Sequence, residues 1–323
     1  MRQQLSGATV VVITGASSGI GRATALQFAR RGVRLVLASR ELAGLQPVAE
    51  ACLEEGARAL AVETDTGDAA SVRRLAARAV EAFGRIDVWV NNAGVAAFGR
   101  FADTPIEAHD QVIRTNLMGY IHGAHAAMAQ FLKQDAGILI NVVSLAGWAP
   151  TPLASSYTAS KFGNRGFSEA LRIELGGHPR IKVCDVYPAF VDTPMLEHVG
   201  NYSGRRLTPI PPVLAVDAVA RKVVSLAERP RDFNPVGVTF ALTVGLHSLA
   251  PRLFRWTVAR GTKGFMALSA PTARTDAALF AASPRGGPTE GGLRSAPWRA
   301  AIGAACVAGT LAGALLLARR RYR

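Results

Sequence analysis

Tyr157 and Lys161, four residues apart in YTASK, are a phenol and an ammonium that could carry out acid–base chemistry. On a helix this spacing puts both side chains on one face, with Cβ atoms about 6 Å apart. A neighbouring cation favours phenolate and draws a tyrosine pKa from its ordinary value of about 10 toward a range useful for proton transfer. An isolated Y-x-x-x-K is common, so the pair acquires meaning only from what the rest of the chain supplies.

The elements available to position the pair alternate regularly. Residues 8–14 (ATVVVIT) form a continuous apolar run, as expected of a strand buried on both faces. Further strands are predicted at 33–38, 57–62, 86–91, 137–143 and 181–187. Helices are predicted after the glycine-rich turn and at 41–55, 68–83, 107–133, 156–175 and 215–228. The segment 236–245 is less clear. Strand–helix alternation with apolar strands predicts an α/β fold, a doubly wound parallel sheet covered by helices on both faces in three layers.

Between the first strand and first helix lies Thr14-Gly-Ala-Ser-Ser-Gly-Ile-Gly21, where a dinucleotide fingerprint belongs. Gly15 permits the tight turn, Gly19 a close backbone approach to a pyrophosphate, and Gly21 close helix packing; the helix N-terminus offers free N–H groups to phosphate. At the end of the second strand, where an acid would accept the ribose hydroxyls of NAD, the chain reads Ser39-Arg40. A guanidinium matches a 2′-phosphate that a carboxylate would repel, so NADP(H) is expected over NAD(H).

Composition narrows the alternatives. The net charge of +14 suggests nucleic acid until it is divided: residues 246–323 hold 12 Arg/Lys and two acids, whereas the first 245 residues carry a net of only +4. No nucleic-acid module accompanies the basic excess. Cys52, Cys184 and Cys306 are too widely spaced for a metal or disulfide pattern, and a reducing compartment suits them. His122 and His125 lie i, i+3 without a third ligand, so no metal is expected. The N-terminus shows no signal-peptide pattern.

With these parts placed, residues 5–240 resemble the short-chain dehydrogenase/reductase family. The motifs that carry the resemblance are TGASSGIG at 14–21, NNAG at 91–94, Ser144 thirteen residues before Tyr157, and Tyr157-Thr-Ala-Ser-Lys161, in that order. The resemblance implies that Tyr157 is the general acid/base and that Lys161 lowers its pKa and bonds the nicotinamide ribose. It implies that Ser144 polarises the substrate oxygen and that Asn116, in RTNLMG, holds a proton-relay water. It places the cofactor against Gly15, Ser17, Ser18, Gly19, Ile20 and Gly21, with Asp65 at the adenine and Asn91, Ala93 and Gly94 along the floor. Pro188, Val191 and Thr193 belong to the segment holding the carboxamide, in which Ala189 replaces the family's usual glycine. The lid of the family corresponds to 194–212, and Arg205-Arg206 within it is expected to be a solvated charge pair rather than an anion site.

Beyond residue 245 the composition changes. Residues 1–245 are expected to form the catalytic domain, 246–299 a basic linker with a membrane-surface segment, 300–318 a transmembrane helix, and 319–323 a basic terminus. The 19 uncharged residues Ala300–Ala318 give a helix of about 28 Å, close to bilayer thickness. Gly309 and Gly313 form a GxxxG that lets two such helices touch and so admits a homo-oligomer. A catalytic domain using NADP(H) should face the cytoplasm, yet RRRYR at the end also prefers that side. Partial insertion near 236–250, or interfacial seating of Arg252–Trp256, would reconcile the two. The expected activity is interconversion of a carbonyl and a secondary alcohol, with a lipophilic substrate suited to a membrane-associated enzyme. The competing reading is a membrane-tethered NADPH-binding scaffold without turnover, against which the complete Ser–Tyr–Lys set weighs.

Overall fold

A computed structural model describes residues 4–208, 212–281 and 286–292. The apolar run becomes β1 (Val10–Thr14), buried at every position. There follow α1 (Gly19–Ala29), β2 (Arg34–Ser39), α2 (Leu42–Glu54), β3 (Arg58–Glu63), α3 (Ala69–Phe83) and β4 (Val88–Asn91). A short β5 (Ala97–Phe98) precedes α4 (Ile106–Ile113) and α5 (Gly119–Gln134), which a π-helical turn at Arg114–Met118 joins. The second half runs β6 (Gly137–Val142), α6 (Ser155–Glu174), β7 (Ile181–Pro188), α7 (Met195–His198), β8 (Gly200–Asn201), α8 (Val216–Glu228) and β9 (Phe233–Val236). Two helices, α9 (Thr239–Leu249) and α10 (Pro251–Leu268), close the regular part.

The large sheet has seven strands in the order β3-β2-β1-β4-β6-β7-β9, and β5 pairs separately with β8. All pairings in the large sheet are parallel. Strand order reverses between β1 and β4, and ligands of open α/β sheets bind at such a switch, beyond the strands' C-terminal ends. One core cluster joins Val11, Ile13, Leu35 and Val90 to α1, α2 and α8. The other joins Val12, Val36, Trp89 and Leu139 to α3 and α5. Successive strand side chains alternate between the two clusters, as the pleat requires.

Local chemistry sets the helix ends. Asp68 caps α3 by accepting from the amides of Ala70 and Ser71, and Gly84 ends it in the left-handed conformation. Ser18, by contrast, opens α1 in an extended conformation with no side-chain cap bond, leaving the first amides to other acceptors.

Two sequence expectations need correction. The unclear stretch after α8 is the edge strand β9 followed by α9, held by the aromatic group Trp148, Tyr187, Phe233 and Phe240. The stretch 246–299, expected to be a basic linker with a membrane-surface segment, is partly regular in its described residues. It contains α10, and beyond it Thr275, Asp276, Ala278 and Leu279 pack on the catalytic domain. Its contacts run largely through main-chain groups and glycines, which leave no hydrophobic period to read. The expected span at 300–318 and the basic end 319–323 lie outside the described residues. Among the described residues no helix is long and apolar enough to cross a membrane.

Candidate active site

The glycine turn is built for close approach. Gly15 has φ +66°, and a Cβ there would come 2.7 Å from Ala93 Cα. A Cβ on Gly21 would strike the Gly15 carbonyl and come 2.6 Å from Asn92 Nδ2. Thr14 ties this turn to the NNAG segment: its Oγ1 accepts from the amides of Asn92 (3.0 Å) and Ala93 (3.2 Å). Asn92 Nδ2 returns bonds to the carbonyls of Thr14 (3.0 Å) and Gly15 (3.1 Å). The stitched loops leave Gly19, at φ +51°, facing Thr193 across the mouth of the cleft. A turn that admits no Cβ at the start of an uncapped helix fits a pyrophosphate.

Arg40 stands just past β2, where burial lowers its guanidinium pKa and the nearby carboxylates of Asp65 and Glu41 only partly oppose that shift. Ser39 turns its hydroxyl to the Glu41 carbonyl at 2.9 Å, and Asp65 accepts from the Gly67 amide at 2.8 Å. Asn91 lies beneath the floor rather than on it. Its side chain accepts from Trp89 Nε1 (2.9 Å) and donates to Tyr120 O (3.0 Å) and Asn141 Oδ1 (3.0 Å). Ala189 is accommodated without distortion, donating to Val236 O at 3.0 Å. It faces Gly237, where a Cβ would lie 3.2 Å from that of Ala189. Val191 pairs with Leu214, and the Thr193 amide bonds Val191 O at 2.9 Å.

The acid–base group forms where β6 ends and α6 begins. Ser144 has φ 154° and ψ 160°, a region that costs a non-glycine residue on the order of 1–3 kcal/mol. Its Oγ accepts from the Ala146 amide at 3.1 Å. Burial raises the Tyr157 pKa, and the neighbouring Ser144 hydroxyl opposes that rise. Lys161 is buried (4% exposed), and burial brings its ammonium down to about 7. Its Nζ donates to Val142 O at 3.2 Å and Tyr120 Oη at 3.5 Å. The same nitrogen lies 4.9 Å from the Tyr120 ring centre and 5.6 Å from that of Tyr157. The two rings therefore bracket one cation, an arrangement that favours its charged form.

Asn116 sits on the π turn, fully buried. Its side chain accepts from the Val95 amide at 2.8 Å and donates to Val95 O (2.9 Å) and Ser160 Oγ (3.3 Å). Its main-chain carbonyl accepts from Asn164 Nδ2 at 2.9 Å. Asn164 Oδ1 is buried with no partner, an acceptor fit for a water molecule. Tyr120 and Asn164 escaped the sequence reading, and Thr14 entered it only as the first residue of the glycine motif. Tyr120, four residues after Asn116 in a stretch read as helical, offered a spacing signal, though the π turn at Arg114–Met118 breaks the regular period between them. His122 bonds the Thr66 carbonyl at 2.9 Å, and no metal-holding group occurs among the described residues. Of the expected solvated pair, Arg206 is exposed, while Arg205 is half-buried and its guanidinium donates to Ser269 O at 3.0 Å.

A glycine cradle at the sheet's switch point, beside a Ser–Tyr–Lys cluster, defines a nicotinamide-dependent oxidoreductase. The chain belongs to the short-chain dehydrogenase family, whose model matches residues 9–202. It is 36% identical over 251 residues to the uncharacterized oxidoreductase YxnA of Bacillus subtilis, covering 76% of this chain and 69% of that protein. It is 32% identical over 258 residues to 11-beta-hydroxysteroid dehydrogenase A of Sesamum indicum, covering 76% and 73% of the two chains. A crystal structure of a short chain dehydrogenase/reductase from Burkholderia phymatum in complex with NAD superposes with a TM-score of 0.70 at 28% identity, covering 78% of this chain and 96% of that one.

Proposed function

We propose that this chain interconverts a carbonyl and a secondary alcohol, using NADP(H) in preference to NAD(H), on a lipophilic substrate. The observation that carries the reading is the Ser144 hydroxyl beside the Tyr157 phenol, with the buried Lys161 Nζ 5.6 Å from the Tyr157 ring centre. When bound, the nicotinamide supplies or accepts the hydride. The chain's own part is to hold and move the proton. Ser144 orients the substrate oxygen, and Tyr157 delivers a proton to it or takes one away. The Lys161 cation stabilises the phenolate left behind. Asn116 and Asn164 are assigned to the relay that restores the proton. The test is a panel of lipophilic ketones and alcohols, with NADPH absorbance followed in the wild type and in Tyr157→Phe. Dinucleotide binding without turnover on any compound would favour the scaffold instead.

The preference for NADP(H) rests on Arg40. Arg40→Asp should move the ratio of NADPH to NADH efficiency about 100-fold toward NADH, as expected for loss of one charge-assisted phosphate contact. An unchanged ratio in steady-state kinetics would remove Arg40 from the 2′-phosphate site.

A membrane-associated location, with the catalytic domain facing the cytoplasm, is supported by the outer surface of α9 and α10. Leu242, Leu249, Leu253 and Trp256 are exposed there, beside Arg252, Arg255, Arg260 and Lys263, with no acid between Asp232 and Asp276. Exposed apolar and basic side chains on one surface suit an anionic headgroup layer. Between α10 and α6 lies a cleft of about 660 Å³ lined by Pro152, Thr158, Phe162, Phe254 and Val258, suited to an apolar molecule. Removing 300–323 should shift the protein to the soluble fraction. Membrane association that persists, and is then lost on Trp256→Glu, would assign the anchor to α10 instead.

A further inference from the structure

The segment beyond α10 returns to the cofactor cleft. Leu279, fully buried, packs with Ala97, Ala108, Val112 and Tyr202, a cluster that also receives the Tyr157 ring. From this anchor the chain passes Arg40, whose guanidinium donates to four successive carbonyls. They are Ala278 (2.7 Å), Leu279 (3.1 Å), Phe280 (3.2 Å) and Ala281 (3.4 Å). Residues 286–291 then lie on the glycine turn itself. The Gly19 amide donates to Pro288 O at 3.1 Å, Gly287 donates to Ser17 O at 3.2 Å, and Arg22 donates to Gly287 O at 3.0 Å. On the opposite wall of the cleft, the Gly291 amide donates to Asp192 O at 3.2 Å.

The fit depends on missing side chains. A Cβ on Gly286, at φ +64°, would come 2.9 Å from Gly44 O and 3.0 Å from Ser17 O. One on Gly287 would lie 3.1 Å from Ser18 Cβ, and one on Gly291 would strike the Thr193 carbonyl. Main chain therefore rests on main chain across the volume between Ser17–Gly19 and Thr193. The Pro288 carbonyl takes from Gly19 the hydrogen bond that a phosphate oxygen would take, and the carbonyls of 278–281 take from Arg40 those of a 2′-phosphate.

We propose that residues 278–281 and 286–291 are an internal competitor for the dinucleotide, a strap that must leave Gly19 and Arg40 before the cofactor can bind. This rests on the dinucleotide reading of the glycine turn. The exchange is favourable in direction, because the strap offers neutral carbonyl acceptors. A dinucleotide offers charged ones, whose hydrogen bonds are roughly twice as strong. Beyond Leu279 the strap is rich in glycine and contributes little apolar burial, so it can open without the domain unfolding. While closed it lowers apparent affinity by the fraction of molecules that are open. Arg40 would then serve two masters in turn, holding the strap in the free protein and the phosphate in the complex.

The experiment uses the full chain carrying Gly286→Ala and Gly291→Ala together, which place Cβ atoms against Gly44 O, Ser17 O and Thr193 O and so spoil the seating of the strap. Binding of NADPH and NADH is read by cofactor fluorescence. Both apparent Kd values should fall about tenfold, since the strap covers the shared pyrophosphate donors. Hydrogen exchange of peptides covering 286–292 gives a second readout in the wild type: protected when free, fast when NADPH is bound. Unchanged or weaker dinucleotide binding in the variant, or protection that survives NADPH binding in the wild type, would overturn the strap while leaving the cofactor reading intact. Failure of wild type and variant alike to bind either dinucleotide would instead overturn the cofactor reading, and the strap with it.

Discussion

Tyr157→Phe is expected to lower kcat by about 1,000-fold, in the range set by loss of a positioned general acid, while NADPH affinity stays near the wild-type value. The substitution deletes one oxygen from a ring that packs beside Val95 and the Ala97–Tyr202 cluster, so the cavity wall is preserved. What it removes is the phenol oxygen beside Ser144, the proposed proton donor. Charge developing on the substrate oxygen would then have only the Ser144 hydroxyl to meet it. Because the loss falls on a group used in the transition state, kcat and kcat/KM should drop together. Stopped-flow turnover alongside fluorescence titration of NADPH separates the two quantities. A variant retaining a tenth of wild-type kcat would remove Tyr157 from the chemistry.

Lys161→Met should lower turnover while making the dinucleotide-free protein more stable at pH 6. Burial holds the Lys161 ammonium near 7, against about 10.4 in an unfolded chain. Between those values the unfolded state binds one more proton, so wild-type stability rises as pH increases through 7. Below about 7 both states carry the proton and the penalty for burying it is at its full value. The rise from pH 7 to 8.5 is worth about 2 kcal/mol. Above that window the thiols of Cys52 and Cys184, pushed up to about 12 by burial, add a falling contribution common to wild type and variant. The difference between the two proteins isolates the lysine. Removing it does not orphan Val142 O, which still accepts from Tyr120 Oη at 2.6 Å. Urea melts at pH 6, 7 and 8.5 measure the effect, and parallel curves for the two proteins would show that Lys161 is not a buried charge.

The sheet and the catalytic cluster were legible because their signals are local. Apolar runs at 8–14 and 137–143 can only be buried strands, and the turn at 14–21 has glycines where any Cβ would collide. Tyr157 and Lys161 announce themselves by helical spacing. The position of the lysine was not legible: its nitrogen lies nearer the Tyr120 ring than the Tyr157 ring, and Tyr120 comes from a different helix. The wider turn at Arg114–Met118, which carries Asn116, was equally invisible, since a 3.6-residue period cannot announce its own interruption. Residues 278–281 and 286–291 were missed for a third reason. They are held by backbone carbonyls and glycines, and a composition typical of linkers conceals such contacts.

The polar seam under the site has a bearing on how the chain reaches its fold. Asn91 on β4 donates to Asn141 on β6, and Asn141 donates in turn to Asp185 on β7 (3.3 Å) and Ser168 on α6 (3.0 Å). Arg172 (2.8 Å) and Tyr187 (2.9 Å) complete the shell of Asp185. Slipping any of these strands by one residue would turn its amide or carboxylate to the other face. Each stranded group would cost about 1–3 kcal/mol, and more where it is charged. Apolar strands rich in valine and isoleucine can pair in several registers at similar energy. The seam therefore sets a polar penalty against every misaligned central pairing, which the apolar residues alone would not impose.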